Sequence, residues 1–390
     1  MKIVKNMVKK IINKLINLLP IKNHIIFESH PDLSGNTFPL FKYMLENNLN
    51  EKYKLIWLVN DKNKYNNSFG TNVYFENIAP KKLTGRIKVF YLKATARCII
   101  SENRFIPKIN KKQFSMYLTH GTVIKDIGAI YANSIGPKCD YLLYQSQFVK
   151  ELTANLYQAS LDKLVCLGFP RNDNLFVKST CVKDIFKEKN FNKVIVWMPT
   201  FRQHYNKIRI DSTITFPLGI PILKSVEQLR ELNTFLEERN TLLVLKPHPA
   251  QDLSVVKAES LSNFVLLYDE DLSKHNIQLY EFIGNADSLL TDYSSIYFDY
   301  LLLDRPIGIT IDDIEEYGNT LGFIYENIFD ILKGEYISNY DELLHYVDNV
   351  AKDHDIHREE RNKIKDLMNH HQDNCSTKRV YEFIMEKAKL

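Results

Sequence analysis

At 390 residues the chain is longer than one core of ordinary size and suits two α/β domains. Hydrophobic residues at 45% and charged residues at 25% exclude global disorder and collagen-like or low-complexity classes. Fifty-one Lys and Arg against 47 Asp and Glu leave a net charge of +4, too slight to suggest a nucleic-acid partner.

Residues 1–19 read MKIVKNMVKKIINKLINLL. Apolar side chains recur at Ile3, Val4, Met7, Val8, Ile11, Ile12, Leu15, Ile16 and Leu19, a helical stripe, while Lys2, Lys5, Lys9, Lys10 and Lys14 take most of the other faces. Lysine and asparagine interrupt the stripe too often for a membrane span or the apolar region of a signal peptide. The pattern fits an amphipathic helix on an anionic membrane surface, or a helix packed on the protein body. The purely cationic polar face favours the first.

From Ile21 onward, short apolar runs alternate with helical patterns. Strands are expected at 24–29, 54–59, 97–101, 115–118, 141–144 and 163–167, with helices at 38–47, 86–95 and 147–158 between them. A second series begins at Lys193 and includes 242–249, 264–268, 288–295 and 306–310, with helices near 225–238 and 277–283. This alternation predicts parallel sheets covered on both faces, in two Rossmann-like lobes facing a cleft. The expected division is an N-terminal helix over 1–20, a first lobe over 21–180, a second over 181–350, and a C-terminal helical segment over 351–390 returning to the first lobe. Cys98, Cys139, Cys166, Cys181 and Cys375 are scattered with no CxxC pair, so neither a disulfide framework nor a zinc site is expected, and a reducing cytosol fits.

Polar segments where strands end are the candidates for chemistry. His120 follows the strand SMYL and precedes Gly121, which leaves the backbone open; the imidazole there either accepts a proton from an alcohol or stabilises a turn. Thr200 and Arg202 follow the strand at 193, and Arg202 offers a planar cation for phosphate oxygens or a surface ion pair. Lys246 opens KPHP, in which two prolines fix the backbone around His248, either for a catalytic imidazole or for a rigid turn. Asp292, Ser294 and Ser295 lie where a strand runs into a helix, an arrangement that binds phosphate or simply caps the helix. Asp312-Asp313 reads as loop beyond its strand, and no metal-binding DxD stands among these motifs.

HGT near 120, GFPRND at 168–173, MPTFR at 198–202, KPHP at 246–249 and TDYSSIYFDYLLLDRPI at 291–307 together resemble, in order, the CDP-glycerol glycerophosphotransferase family that builds wall teichoic acids and some capsules. The resemblance runs from about Phe27 to about Asp348. It implies a GT-B architecture with the donor on the C-terminal lobe, and peripheral attachment to the cytoplasmic face of the cell membrane. It also implies that His120 is the general base on the acceptor, that His248 and Arg202 hold the donor pyrophosphate, and that Asp292, Ser294 and Ser295 contact donor phosphate or glycerol. Val123 stands where the family often has proline, and the family's late aromatic-glycine motif survives only as Leu321-Gly322-Phe323-Ile324-Tyr325-Glu326.

The expected activity is therefore transfer of glycerol phosphate from CDP-glycerol to a polyprenyl-linked or polymeric acceptor hydroxyl, releasing CMP. No cofactor or protein-bound metal is expected. A CDP-ribitol donor, a sugar-nucleotide glycosyltransferase on the same scaffold, and a membrane-docked scaffold without turnover remain open on the residues alone.

Overall fold

The computed structural model describes residues 14–65, 69–122, 124–125, 135–200, 202, 214–247, 251 and 253–390. The chain forms two compact units. The first runs to Gly121, resumes over Gly128–Asp173 and closes with His370–Leu390; the second holds Thr122–Ile127 and Asn174–Asn369.

The first unit carries seven parallel strands: β1 (Lys22–Glu28), β2 (Lys54–Val59), β3 (Val73–Asn77), β4 (Ala96–Ser101), β5 (Phe114–Tyr117), β6 (Tyr141–Tyr144) and β7 (Leu164–Cys166). Their spatial order is β3-β2-β1-β4-β5-β6-β7. The second unit repeats the plan with β8 (Lys193–Met198), β9 (Thr241–Leu245), β10 (Phe264–Leu266), β11 (Ser288–Thr291), β12 (Ile307–Thr310) and β13 (Glu335–Ile337), in the order β10-β9-β8-β11-β12-β13. Every pairing in both sheets is parallel.

The inner strands form around short apolar runs, such as HIIF in β1, LIWLV in β2 and LLVL in β9. All five residues of β9, TLLVL, are buried, as a strand covered on both faces requires. The sequence pattern finds the inner strands of both sheets but misses β3 and β13. Both are edge strands, short or half-buried, and their runs VYFEN and EYI carry acids that blur the apolar signal.

Two helices close the first core. In α1 (Thr37–Glu46), Phe38, Leu40, Phe41 and Met44 are buried beside Phe27 and Trp57, with Phe41 meeting Trp57 edge-on at 5.4 Å. In α9 (Ser376–Ala388), Val380 and Ile384 enter the same cluster. Between them in sequence lie α2 (Leu83–Thr95), α3 (Lys150–Tyr157), α4 (Val226–Glu238), α5 (Ile296–Tyr300), α6 (Ile314–Thr320), α7 (Tyr340–Ala351) and α8 (Arg358–Met368). The segment 351–390 is thus shared. α8 buries Ile364 and Met368 in the second unit, and only residues from His370 onward belong to the first. Residues 14–18 are helical, with Ile16 buried; residues 1–13 of the expected amphipathic helix lie outside the described residues.

Candidate active site

A parallel sheet of this order reverses its winding direction between β8 and β11, and the crevice at their carboxyl ends is where open α/β sheets bind ligands. Three chain segments meet there. The Thr200 amide donates to both carboxylate oxygens of Asp292 at 2.9 Å, and its hydroxyl donates to one of them at 3.0 Å. Arg202 pairs with Asp292 at 2.9 Å through Nη2. The same guanidinium grips Asp313, which follows β12, from Nε at 2.5 Å and Nη2 at 3.0 Å. Nη1 donates to the Thr200 carbonyl at 2.9 Å and also meets the Thr200 hydroxyl.

A guanidinium has five N–H donors. All five of Arg202's are thereby used inside the protein, and the side chain is almost fully buried. Burial opposes its charge, but Asp292 and Asp313 outweigh that and hold its pKa above the ordinary arginine value. Phe216, Tyr293 and Tyr317 surround it, with ring centroids 5.6, 5.5 and 4.8 Å from the guanidinium carbon. Tyr293 Oη donates to Asp313 at 3.2 Å, and burial followed by the carboxylates of Asp313 and Asp292 pushes this phenol's pKa up. Asp312 accepts from the Ile222 amide at 2.8 Å; burial first, and later the charge of Asp313, raises its carboxyl to about 6.

Arg202 and Asp292 were expected to face the donor, yet in this arrangement each is occupied by the other and by Thr200 and Asp313. They fix the ends of β8, β11 and β12 to one another. Asp313, read from sequence as loop, is part of the same network, and only its neighbour Asp312 gave a hint.

A cavity of about 280 Å³ opens beside Arg202, lined also by Phe216, Leu218, Gly219, Gln251 and Ser254. Lys246, at the end of β9, is buried and pairs with the half-exposed Asp269 at 2.9 Å. Ser294 and Ser295 remain partly exposed on the turn between Asp292 and α5, and Ser295 makes no side-chain cap bond to that helix. His248 lies outside the described residues.

In the first unit the corresponding reversal falls between β1 and β4. The buried Glu102, just past β4, accepts from the amides of Asn36 at 2.7 Å and Thr37 at 3.2 Å, at the start of α1. Glu28, at the end of β1, accepts from the Glu102 amide at 3.3 Å and the Arg104 amide at 3.0 Å. Burial raises both carboxyl groups to about 7. Gly35, at φ +63°, lies so close that a Cβ there would come within 2.3 Å of the Glu102 carboxylate.

The same scaffold positions His120. Asn36 donates to the carbonyls of Leu118 at 3.3 Å and Thr119 at 2.9 Å, and Arg171 donates to the His120 carbonyl at 2.9 Å. Asn36 Oδ1 accepts the Arg171 amide at 3.2 Å. The turn so held places Thr119 at φ +44° and Gly121 at φ +133°. A positive φ at a β-branched residue costs energy and persists only where surrounding bonds enforce it, most often at functional sites. Sequence reasoning missed Glu28, Glu102 and Asn36; Arg171 was visible only as part of GFPRND.

Two outcomes follow from these networks. Replacing Arg202 by Ala leaves two buried carboxylates without their cation, so stability should fall by about 3–5 kcal/mol. Arg202→Lys should recover little of it, since an ammonium cannot reach five acceptors. Denaturant unfolding of both variants checks this. Glu28 and Glu102 bind protons more tightly in the folded chain than in the unfolded one, where carboxyls titrate near 4.5. The stability they confer is complete below that value and is lost as pH rises through about 7. Unfolding free energy followed between these limits should decline less steeply in Glu28→Gln than in wild type, and an unchanged slope would argue against a raised carboxyl.

Comparison with known proteins agrees with this arrangement. The family model described as CDP-Glycerol:Poly(glycerophosphate) glycerophosphotransferase matches residues 11–386. A teichoic acid glycerol-phosphate transferase of Staphylococcus aureus is 27% identical over 374 residues, covering 87% of this chain and 89% of the relative. A teichoic acid ribitol-phosphate primase of Bacillus spizizenii is 26% identical, covering 75% of this chain and 76% of the relative. The wall teichoic acid polymerase TagF shares the fold, with a TM-score of 0.72 at 22% identity over 99% of this chain and 96% of that one. With strand order, carboxyl-end site and family match in agreement, the chain belongs to the CDP-glycerol:poly(glycerophosphate) glycerophosphotransferase family.

Proposed function

We propose that the chain transfers glycerol phosphate from CDP-glycerol to a hydroxyl of a lipid-linked or polymeric acceptor, releasing CMP, in teichoic acid or capsule synthesis. The observation that carries this reading is the pairing of family membership with a strained, firmly held HGT turn in the first unit. The acceptor belongs to the first unit and the donor nucleotide to the second, the division of labour of a GT-B enzyme.

The acceptor hydroxyl attacks the donor phosphorus that bears glycerol. A new P–O bond forms, the P–O bond to CMP breaks, and His120 takes the hydroxyl proton. Phosphoryl transfer needs positioning and charge stabilisation more than covalent help from the protein. Ser294, Ser295, Lys246 and His248 hold the donor diphosphate, with backbone N–H groups at the start of α5. Thr200, Arg202 and Asp292 act one step behind, by fixing the strand ends that carry those groups. The ribitol-phosphate primase among the relatives keeps CDP-ribitol as the second reading for the donor.

Changing His120 to Ala should leave CDP-glycerol affinity nearly intact and lower turnover by roughly 10² to 10⁴, the usual range for a lost general base. CMP release and donor binding, measured with CDP-glycerol and CDP-ribitol in parallel, separate the possibilities. A variant that loses donor affinity but keeps its rate at saturation would remove His120 from the role of base. Faster CMP release from CDP-ribitol would reassign the donor.

The membrane attachment draws support from the exposed face of α2, the helix expected at 86–95. On α2, Leu83, Ile87, Phe90 and Tyr91 recur on one face and are exposed, Leu83 by 71% and Ile87 by 59%. Lys81, Lys82, Arg86 and Lys88 accompany them. Leu15 and Leu18 are also exposed, and Asn110 ties the two regions together by donating to the carbonyls of Ile16 at 3.0 Å and Ala94 at 3.5 Å. Among the described residues no helix is long and apolar enough to cross a membrane. Such a surface suits peripheral attachment to an anionic bilayer. Sedimentation with anionic liposomes should weaken with salt, because exposed charges are screened over about 10 Å at 0.1 M. It should also weaken in the double variant Ile87→Asn, Phe90→Asn. Equal sedimentation of variant and wild type would refute this surface.

A further inference from the structure

Cys166 ends β7, and His370 and His371 stand where the chain re-enters the first unit after α8. One ligand atom from each of these three residues lies within 4.8 Å of the other two. More than two hundred residues separate the cysteine from the histidines, so no sequence spacing announces the cluster. We propose that Cys166, His370 and His371 form a binding site for a divalent transition metal of the zinc class, with water as the fourth ligand.

A thiolate and two imidazoles are the donor set that zinc prefers, and three protein ligands leave one position for solvent. Solvent reaches this site, since His370 is exposed and the other two residues are half-buried. The ligands are also placed in advance. The Cys166 thiol and the His370 amide both point to the Gln145 carbonyl, at 3.4 and 3.3 Å. His371 Nε2 lies 3.1 Å from the Cys166 carbonyl, the backbone partner that commonly orients a metal-binding histidine.

The surrounding bonds hold this segment against the residues that follow β7. Asp173 accepts the amides of Ser376 at 2.9 Å and Thr377 at 2.7 Å, and Arg379 Nε donates to the Leu167 carbonyl at 2.9 Å. Arg379 brings a positive charge near the cluster, but Asp373 neutralises it through two bonds of 2.9 and 2.7 Å. Closing around zinc draws the ligand atoms to about 3.5 Å from one another, a shift that rotation of the exposed His370 ring can supply. Binding must release the thiol proton of Cys166, because the thiolate is the ligand. The bound metal would clamp the returning segment to β7.

The test uses the full chain, reduced and stripped by a chelator, titrated with cobalt(II). One equivalent should bring the visible bands of a tetrahedral ion and a near-ultraviolet sulfur-to-cobalt band, and zinc should bleach both. Thermal melting should rise when zinc is added to the stripped protein. Cys166→Ser should abolish the sulfur-to-cobalt band, and Cys375→Ser should retain it. His370→Gln alters an exposed side chain and leaves the fold intact, so it should weaken binding at least tenfold without changing the metal-free circular dichroism. Absence of the band in wild type, its survival in Cys166→Ser, or unchanged affinity in His370→Gln would each overturn the site.

Discussion

Arg202 sits at the point where the second sheet reverses its winding, and it cannot be buried there without partners. Taking a guanidinium out of water costs several kcal/mol unless its charge and all its donors are matched. Asp292 at the end of β11, Asp313 after β12 and Thr200 after β8 supply that match. Three strand ends are thereby fixed by one side chain, and the turn carrying Ser294 and Ser295 begins one residue after Asp292. The aromatic layer follows from the same need. Tyr293 and Tyr317 exclude water from the network, and Phe323 packs on both, at 5.1 and 5.8 Å.

The first unit solves the corresponding problem with the opposite charge. Glu102 is buried at the reversal between β1 and β4 and meets the amides that open α1, where a helix offers unpaired N–H groups and a favourable field. Glu28 lies beside it, and burial raises the proton affinity of both groups, with the charge of Glu28 adding a smaller push to Glu102. Asn36 links this acidic centre to the turn before His120, and Arg171 links the turn to the segment after β7. The histidine's backbone is therefore set by residues from four separate parts of the chain.

This division explains what sequence alone could reveal. The inner strands were legible because burial on both faces favours apolar runs, and β9 and β11 are buried at every position. The edge strands β3 and β13 escape the rule because half-exposed positions tolerate acids. His120, Lys246, Asp292 and the two serines stood out as candidates because each follows such a run. Glu28, Glu102 and Asp313 were not, since a lone acid after a strand looks like any surface carboxylate until its partner, 74 or 111 residues away, is known. For the same reason the internal partners of Arg202 and Asp292 could not be read from sequence. Sequence shows that a charged group stands at a strand end, but not whether another charged group already occupies it.

The distinction between supporting and contacting residues bears on how this family can vary its substrate. A network that satisfies every donor of Arg202 internally can remain while the exposed groups around it change. In this chain one departure from the family pattern, residues 321–326, contributes no bond to that network. Phe323 nevertheless reaches it through Tyr293 and Tyr317, and forms an isolated bridge with Lys125 a few residues beyond His120. Ile324 extends the same contact through its amide, which donates to the Ile124 carbonyl at 3.0 Å. A change of residue in the late aromatic segment is therefore felt directly by Ile124 and Lys125, which follow His120 in the chain.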